Sequence, residues 1–506
     1  MKNIKYIFAI LIAGFIFQSC GDMDIFPEDQ LTTGSISNSS DGILNVTNGN
    51  YALLKDGAEF NGIVDDNNCY LRQYFQMSDF AADDIVCGQK TEDPLYYSFT
   101  YTHSPNQSNA RFFWYISYKI INGANTVIQY LESKGDLTDE EKQLLGENYF
   151  LRAFVEFNLV KFYAFPYNQG DPNSNLGIIL RTSTSDPAEK ARATVQETYN
   201  QLLQDALQSA DLMNKPRGKE FASKEAAWAL LSRVYLYMED YNKSIEYADK
   251  VIDSGRFTLE TSESYPTYFA NALQRSETIW AVAFTPSDNR GKFGSIASMI
   301  YSDGNSGWGE EFATYDYMDL INKYKGDVRT EYIDTVFKEP GVVQKKNGLE
   351  MFFITKFSFQ DGDPNLSSPV MFRLAEMYLN KAEAYAHLSN ESEALANVNI
   401  IRENRGLSDH LINSVPNGKM ILGVVLDERR AELAFEGHRY FDLTRNKMDI
   451  DRTYWGYHIK GLTIGDIDLS KKPSGYDNLI IKWDDPAKLY FIPIDEMIAN
   501  SQCIQN

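Results

Sequence analysis

The side chains best suited to chemistry are aromatic and polar residues that lie close together in a loop-rich stretch. Trp308 and Tyr301 lie near Asp303 and Asn305 in the segment YSDGNSGWG. A sugar has C–H faces that stack on aromatic rings, and its hydroxyls pair with carboxylates and amides. We therefore expect these four residues to form a sugar-binding platform. The alternative is that the rings pack beneath a long loop.

Tyr70, Arg72 and Tyr74 form a second candidate binding group. Residues 61–110 around them mix Gly, Asn, Asp and aromatic residues without sustained periodicity, which predicts long excursions over the surface. We expect the three side chains to contribute to ligand binding from such a loop. Simple packing is again the alternative.

Motifs for catalysis and metal binding are missing from the sequence. It contains no H-E-x-x-H and no glycine-rich phosphate loop, and Trp308 replaces the last glycine of a nucleophile elbow. The segment from Asp361 begins like a calcium loop, but Leu366 and Phe372 replace its turn glycine and its bidentate acid. We predict no catalytic residue, no metal site and no cofactor. An enzyme is disfavoured, although paired carboxylates need no motif.

Composition and charge narrow the classes of partner. The 506 residues carry a formal net charge of −22, and such a field repels phosphate backbones, so nucleic acid is not an expected partner. Aromatic residues make up 13% of the chain, which indicates a folded protein. Cys69, Cys87 and Cys503 lack the spacing of zinc ligands. A Cys69–Cys87 disulfide and two buried thiols both stay open.

The N-terminus has the pattern of an export signal that ends in a lipid-attachment site. Lys2 and Lys5 precede an apolar run at 6–17, which is shorter than the roughly 20 residues that span a bilayer. Ser19 directly before Cys20 predicts cleavage after residue 19 and lipidation of Cys20; an ordinary secretory signal is the alternative. No later segment of the sequence is apolar enough to span a membrane, so attachment would depend on the lipid.

The elements that must position the loops are amphipathic helix pairs. Apolar residues of 372–388 recur at spacings of three and four, which predicts a helix with one buried face. Asn390 and Glu393 give the start signal of a second helix, and Gly406 ends it. Thr194 and Glu197 give the same start signal earlier in the chain.

Two of these pairs match the tetratricopeptide pattern. One match consists of residues on the W-x₂-L-G-x₂-Y spacing, with Ser in the Gly position: Trp228, Leu231, Ser232 and Tyr235. The same register recurs in 378–401. Such repeats need about three or more units, and helices predicted at 118–163 and 194–239 supply the others. Helices from the two ends should pack together around 255–368, an irregular region with short strands at 278–284 and 351–356 where binding is expected.

A third helix is predicted over LDERRAELAFEGHRYFDLTR at 426–445. Its charged residues alternate in sign at helical and near-helical spacings, which favours an ion-pair network of the scaffold over a site. These residues are Glu428, Arg429, Glu432, Glu436, Arg439, Asp442 and Arg445.

With these motifs the chain resembles the SusD/RagB family of surface lipoproteins from the Bacteroidetes. The resemblance runs in the family's order from Cys20 and DIFPEDQ, through FLRAFVEFNLVKFYAFPY and RATVQETYNQLLQDAL, to FRLAEMYLNKAEAY, DERRAELAFEGHRYFDLTR and KLYFIPIDEM. The sequence departs from the family at its tail, where a QNPGY close would begin at Gln505. The loops are too variable to align, so no binding residue is carried over.

The resemblance implies a mainly α, tetratricopeptide-like scaffold that supports a loop-rich region with a few short strands. We expect a signal peptide at 1–19 and one domain at 20–506, with scaffold at 112–255 and 369–445 and ligand-binding loops at 61–110 and 256–368. The implied function is capture of a glycan at the outer membrane, without catalysis, and its delivery to a SusC-like TonB-dependent transporter. A peptide ligand, or a transporter lid without affinity of its own, stays open.

Overall fold

The computed structural model describes residues 41–57, 59–60, 63–64, 68–89, 96–454, 456–457 and 479–506. The chain divides into two units, 1–46 and 47–506. The described part of the first unit is short, at 41–46, and the account below concerns the second. The predicted signal peptide and Cys20 lie outside the described residues.

Helices are the predominant regular structure of the described residues, as the sequence predicts. In chain order they are α1 Gly42–Ala52, α2 Tyr70–Asp79, α3 Tyr96–Thr100, α4 Ser108–Ser133, α5 Asp139–Tyr163, α6 Val195–Leu212, α7 Lys224–Tyr237, α8 Tyr241–Asp253, α9 Gly291–Gly294, α10 Ala297–Ile300, α11 Tyr315–Ile321, α12 Leu374–His387, α13 Glu391–Asn404, α14 Ile421–Leu433, α15 Arg439–Arg445 and α16 Ile494–Ala499. Short 3₁₀ helices include Tyr265–Thr267, Phe269–Gln274 and Val328–Tyr332.

The described strands are short and form two-stranded antiparallel sheets. They are β1 Glu59–Phe60, β2 Ile63–Val64, β3 Ile85–Cys87, β4 Thr278–Ala281, β5 Glu311–Ala313, β6 Ile333–Thr335, β7 Phe337–Glu339, β8 Val342–Val343, β9 Lys345–Lys346, β10 Leu349–Glu350, β11 Phe352–Ile354, β12 Val370–Arg373, β13 Ile450–Asp451 and β14 Ile480–Ile481. The strands predicted at 278–284 and 351–356 are confirmed as β4 and β11. The β3–β5 and β4–β12 pairs join distant segments of the chain.

Both predicted tetratricopeptide pairs are present, as α7–α8 and α12–α13. Ser232 lies in the Gly position of the pattern, and its hydroxyl donates to the carbonyl of Ser244 at 3.0 Å while the Ser244 hydroxyl donates to the carbonyl of Ser232 at 2.9 Å. Each hydroxyl thus donates to the backbone carbonyl of the other serine, at the point where the two helices approach closely. α8 packs on α12, which confirms that helices from the two ends of the chain meet.

The predicted helix starts are confirmed by their caps. Thr194 and Glu197 form a reciprocal capping box at the start of α6, and Asn390 accepts a hydrogen bond from the Glu393 backbone nitrogen at the start of α13. α13 ends at Asn404, and Gly406 follows with a φ of 82°.

The charged segment forms two helices, so the prediction of one continuous helix was wrong. α14 ends at Leu433 and α15 begins at Arg439, and Phe435 and Gly437 between them have φ values of 68° and 76°. A Cβ on Gly437 would lie 2.7 Å from the Tyr74 ring, so this tight turn requires glycine. The predicted ion-pair network is confirmed: the seven charged side chains are buried or nearly so, and each has an oppositely charged partner.

One further expectation needs correction, and one open alternative is decided. Residues 70–79, which were expected to lie in a surface loop, form the helix α2. The apolar residues Tyr70, Leu71, Tyr74 and Phe75 recur at helical spacing, but the polar face of α2 is buried as well, so the whole helix lies in the core. Cys69, Cys87 and Cys503 are buried free thiols, so the disulfide alternative is not realised.

Candidate functional site

The predicted platform residues lie in a loop that follows α10, here called the Trp308 loop (residues 301–309). Backbone hydrogen bonds attach it to α10, since the Trp308 nitrogen donates to the Ser298 carbonyl at 2.6 Å. A Cβ on Gly307 would lie 2.1 Å from the Tyr301 carbonyl oxygen, so glycine is needed for this close approach. The Lys346 ammonium donates to the carbonyls of Trp308 and Gly309, both at 2.9 Å. The loop is therefore held on two sides.

Trp308 presents an aromatic surface to solvent together with Phe293 from α9. The two side chains are 41% and 59% exposed, and their ring centroids lie 5.7 Å apart at an interplanar angle of 72°. The Lys292 ammonium lies 4.4 Å from the centroid of the Trp308 ring, in a cation–π contact. We call Lys292, Phe293 and Trp308 the aromatic platform. A ligand that stacks on the ring face beneath Lys292 must first displace the ammonium.

Asp303 and Asn305 are exposed in the Trp308 loop, but Asp303 has a structural task. Its Oδ1 accepts hydrogen bonds from the backbone nitrogens of Asn305 and Ser306, both at 2.8 Å, and from the Ser306 hydroxyl at 2.7 Å. These bonds close an Asx turn and lower the pKa of Asp303 to about 2. At neutral pH the carboxylate is thus charged at the tip of the loop.

Tyr301 supports the loop rather than forming part of the exposed surface. Only 8% of the residue is exposed, and its ring packs edgewise on Phe353 and Phe359 at centroid distances of 5.7 and 5.2 Å. Burial raises the pKa of Tyr301, and the nearby carboxylates of Asp334 and Asp303 add to this effect. The expectation that Tyr301 offers a stacking face is therefore not met in this structure.

Tyr70, Arg72 and Tyr74 lie on α2 and are buried, which corrects the expectation of an exposed loop. The Tyr70 ring stacks on Phe113 at 4.8 Å, and its hydroxyl accepts a hydrogen bond from the Asn158 amide at 2.7 Å. Core packing thus occupies their aromatic faces, and the structure does not bring this group together with the Trp308 loop as a surface.

Sequence reasoning did not find three residues that matter at this surface: Lys292, Phe293 and Phe359. Phe359 is 41% exposed and contacts Tyr301. It lies in a turn from which the Asn365 amide donates to the Ser306 carbonyl at 2.7 Å. The positive φ of 72° at Phe359 could not be read from the sequence, because no glycine or asparagine marks it.

The segment that resembles the start of a calcium loop makes structural hydrogen bonds with neighbouring loops. The Asp363 carboxylate accepts a hydrogen bond from the Asn289 amide at 2.6 Å, and the Asn365 side chain bonds to Ser306 and Ser295. Among the described residues, no group of three or more His, Cys, Asp or Glu side chains is placed to hold a metal ion. In the same part of the chain, no helix is both long and apolar enough to cross a membrane.

Comparisons with known proteins agree with this architecture. A SusD-like family model described as starch-binding associating with outer membrane matches residues 58–236, and the SusD family model matches residues 343–506. SusD-like protein P38 of Formosa agariphila is 25% identical over 498 residues, which cover 89% of this chain and 92% of the relative.

Solved structures show the same fold. A SusD superfamily protein from Bacteroides thetaiotaomicron superposes with a TM-score of 0.79 at 27% identity, over 92% of this chain and 99% of the other. A SusD-like carbohydrate binding protein from Bacteroides vulgatus superposes with a TM-score of 0.72 at 21% identity, over 93% and 97% of the two chains. The second likeness concerns the fold alone.

Proposed function

Because this chain belongs to the SusD/RagB family, we propose that it captures a glycan at the cell surface and delivers it to a SusC-like TonB-dependent outer-membrane transporter. The observation that carries the proposal is the exposed Phe293–Trp308 pair on a loop held by hydrogen bonds. Adjacent exposed aromatic side chains provide an apolar surface of the kind that marks ligand-binding grooves and interaction sites. The starch-binding description of one matching family model supports a carbohydrate ligand.

Stacking on the aromatic platform would supply affinity, and the exposed polar side chains of the Trp308 loop would orient the sugar. A shallow site of this kind binds a single sugar weakly, since little of the ligand is removed from water. Asn305 can pair with sugar hydroxyls, whereas Asp303 already uses one carboxylate oxygen to hold the turn. Trp308 is thus the principal ligand-binding residue of the proposal.

The protein would reach the outer leaflet of the outer membrane through lipid on Cys20, after removal of a signal peptide at 1–19. Residues 20–506 would act as one binding domain without enzymatic activity and without a cofactor. The starch-binding description of one matching family model supports a non-enzymatic role. Two alternatives on the same scaffold are a peptide ligand and a transporter lid that has no affinity of its own.

A glycan array tests the proposal with the full chain, purified in a detergent without sugar headgroups. We expect binding to one class of glycan and a loss of at least about fivefold in affinity for Trp308→Ala, since aromatic stacking contributes about 1 kcal/mol or more. Phe337→Ala is the matched control, because Phe337 is also exposed but lies on β7, outside the platform.

Three results would change the proposal. Glycan binding that survives Trp308→Ala would keep the function and move the site away from the platform. Binding of peptide mixtures but of no glycan would favour the peptide alternative. If the protein binds neither glycans nor peptides, and cells that carry Trp308→Ala and the transporter show normal uptake, the lid alternative would be favoured.

A further inference from the structure

A cleft with a volume of about 750 Å³ opens next to the Trp308 loop and is not used by the platform. Its walls are the 3₁₀ helices at 265–274 and 328–332, strand β6, and the segment after β11. The volume lies within the range of about 300–1,000 Å³ that is usual for small-ligand sites. We call it the Phe359 cleft, after the aromatic residue that lines it and remains 41% exposed.

The lining of the cleft is rich in hydrogen-bonding groups and carries negative charge. Glu331 and Asp334 contribute exposed carboxylates, and Thr355 contributes a hydroxyl. Ser358 also lines the cleft, and its buried hydroxyl has no hydrogen-bond partner within the described structure. Among the described residues that line the cleft there is no lysine, arginine or histidine. Such a surface accepts hydrogen bonds from hydroxyls and repels anions.

Phe359 places an aromatic ring beside these polar groups at the cost of backbone strain. Its φ of 72° lies in the left-handed region, which a residue with a bulky side chain rarely adopts. The turn is closed by a hydrogen bond from the Phe359 nitrogen to the Asp363 carbonyl at 2.9 Å. Strained positions persist where the surroundings hold them, in scaffold turns such as that at Phe435 as well as at binding sites, and Phe359 differs from Phe435 in that its ring is exposed.

The cleft and the aromatic platform adjoin each other through two contacts. The Phe359 ring packs on Tyr301, which begins the Trp308 loop, at a centroid distance of 5.2 Å. The Asn365 amide, which follows the Phe359 turn, donates to the Ser306 carbonyl of the same loop at 2.7 Å. A chain-like ligand that stacks on Trp308 can therefore extend toward Phe359 without leaving the protein surface.

We propose that the Phe359 cleft is a second subsite that binds a further, uncharged sugar unit of the same glycan chain. The unit would stack on Phe359 while its hydroxyls donate to Asp334 and Glu331. Uronic acids and sulfated sugars would be disfavoured there, because the lining residues carry two exposed carboxylates and no cationic side chain. Arg275, which donates to Thr267 at the edge of the cleft, is paired with Glu260. The inference rests on the proposed function and deepens it: the ligand is an oligosaccharide long enough to reach both sites, and it is neutral at the second.

The test measures the affinity of the full chain for short and long oligosaccharides. The probes are neutral series from starch, xylan, mannan and β-glucan, with alginate and pectin fragments as acidic probes. Phe359→Gly removes the ring and also relaxes the backbone, because glycine adopts positive φ freely. Phe359→Trp keeps a stacking ring and should restore binding. Phe337→Ala again controls for loss of an exposed ring elsewhere.

We expect long neutral chains to bind the native protein about tenfold more tightly than short ones, which corresponds to about 1.4 kcal/mol. Phe359→Gly should abolish this gain and leave short chains unaffected, whereas Trp308→Ala should weaken both. Asp334→Asn should improve binding of the acidic fragments relative to neutral ones.

The outcomes separate the inference from the function on which it rests. If Phe359→Gly binds long chains as the native protein does while Trp308→Ala loses them, the subsite is refuted and the proposed function stands. Binding confined to acidic fragments refutes the neutral ligand class. If the native protein binds none of the probes, the glycan-binding function and the subsite fall together.

Discussion

Replacing Glu432 with Gln should lower the free energy of unfolding by about 3–5 kcal/mol, because it removes an acid shared by three buried arginines. Arg373 and Arg405 donate to Glu432 at 2.5 and 2.8 Å, and Arg329 lies 3.6 Å away. None of these side chains is more than 3% exposed. Water therefore cannot replace the lost carboxylate, and the glutamine amide cannot balance the charge.

The magnitude follows from the wider network to which Glu432 belongs. Within the described part of the chain, ion pairs link five cations and five acids, namely Arg329, Lys356, Arg373, Arg402, Arg405, Glu277, Asp327, Glu428, Glu432 and Glu436. The charges of the native set cancel, and the substitution leaves one buried positive charge. A loss of 3–5 kcal/mol is large beside the roughly 5–15 kcal/mol that most proteins possess.

Urea unfolding followed by circular dichroism measures the loss. The matched control is Glu246→Gln on α8, where the acid pairs with Lys243 and Lys250 but its side chain is 42% exposed. An exposed pair of this kind contributes about 1 kcal/mol at most, so the control should unfold almost like the native protein. A difference between the two variants below about 1 kcal/mol would refute the reasoning.

The pH dependence gives an independent check. Burial alone would raise the pKa of Glu432, but Arg405 and Arg373 outweigh it and hold the pKa well below its usual range. A lowered pKa stabilises the folded state above the unfolded-state value of about 4.3, and this contribution is lost as the pH falls below it. The gap between native protein and Glu432→Gln should therefore be complete at neutral pH and narrow in acid. A gap that stays constant would contradict the account.

Three further substitutions have defined outcomes. Glu156 is buried in α5, neither of its carboxylate oxygens has a partner within the described structure, and burial raises its pKa well above the usual range. The folded state then keeps a proton that the unfolded state releases above about pH 4.3, so stability falls as the pH rises. Glu156→Gln should raise the melting temperature at neutral pH but not near pH 4, and equal profiles would count against this. Thr194→Ala removes the α6 capping box and should cost about 1 kcal/mol in urea unfolding. Thr138→Ala at the matching box of α5 should cost a similar amount, and no loss in either would show that the caps are dispensable.

Sequence patterns predicted the fold best where a local rule decides the structure. The spacing around Ser232 and the cap at Asn390 depend on residues within one or two helical turns, and both helices form as expected. α2 was missed because its apolar stripe of Tyr70, Leu71, Tyr74 and Phe75 is short and lies within an otherwise aperiodic stretch. The break after Leu433 depends on the contact between Gly437 and Tyr74, a residue far away in the chain.

The candidate site was less predictable, because its residues come from separate segments. Composition indicated Trp308, and that ring is exposed. Phe293 and Phe359 join it only through tertiary packing, in part through the bond between Asn365 and Ser306. Tyrosine is a residue type that suits sugar binding, but Tyr301 packs under the loop against Phe353 and Phe359. Residue type alone could not decide between these roles, because an aromatic ring can pack in a core or stack on a ligand.

The buried ion-pair network also determines how the two proposed binding regions differ in rigidity. Asp327 and Arg329 belong to the network and begin the segment that carries Glu331 and Asp334, so one wall of the Phe359 cleft is anchored in the scaffold. The Trp308 loop instead rests on α10, Lys346 and Asn365, outside that network. Binding to a fixed wall loses little conformational entropy of the protein. On the platform, by contrast, the Lys292 ammonium must move away from the Trp308 ring before a ligand can stack on that face. If both regions bind ligand as proposed, the cleft is thus the prearranged half of the surface, and the platform is the half in which Lys292 must move.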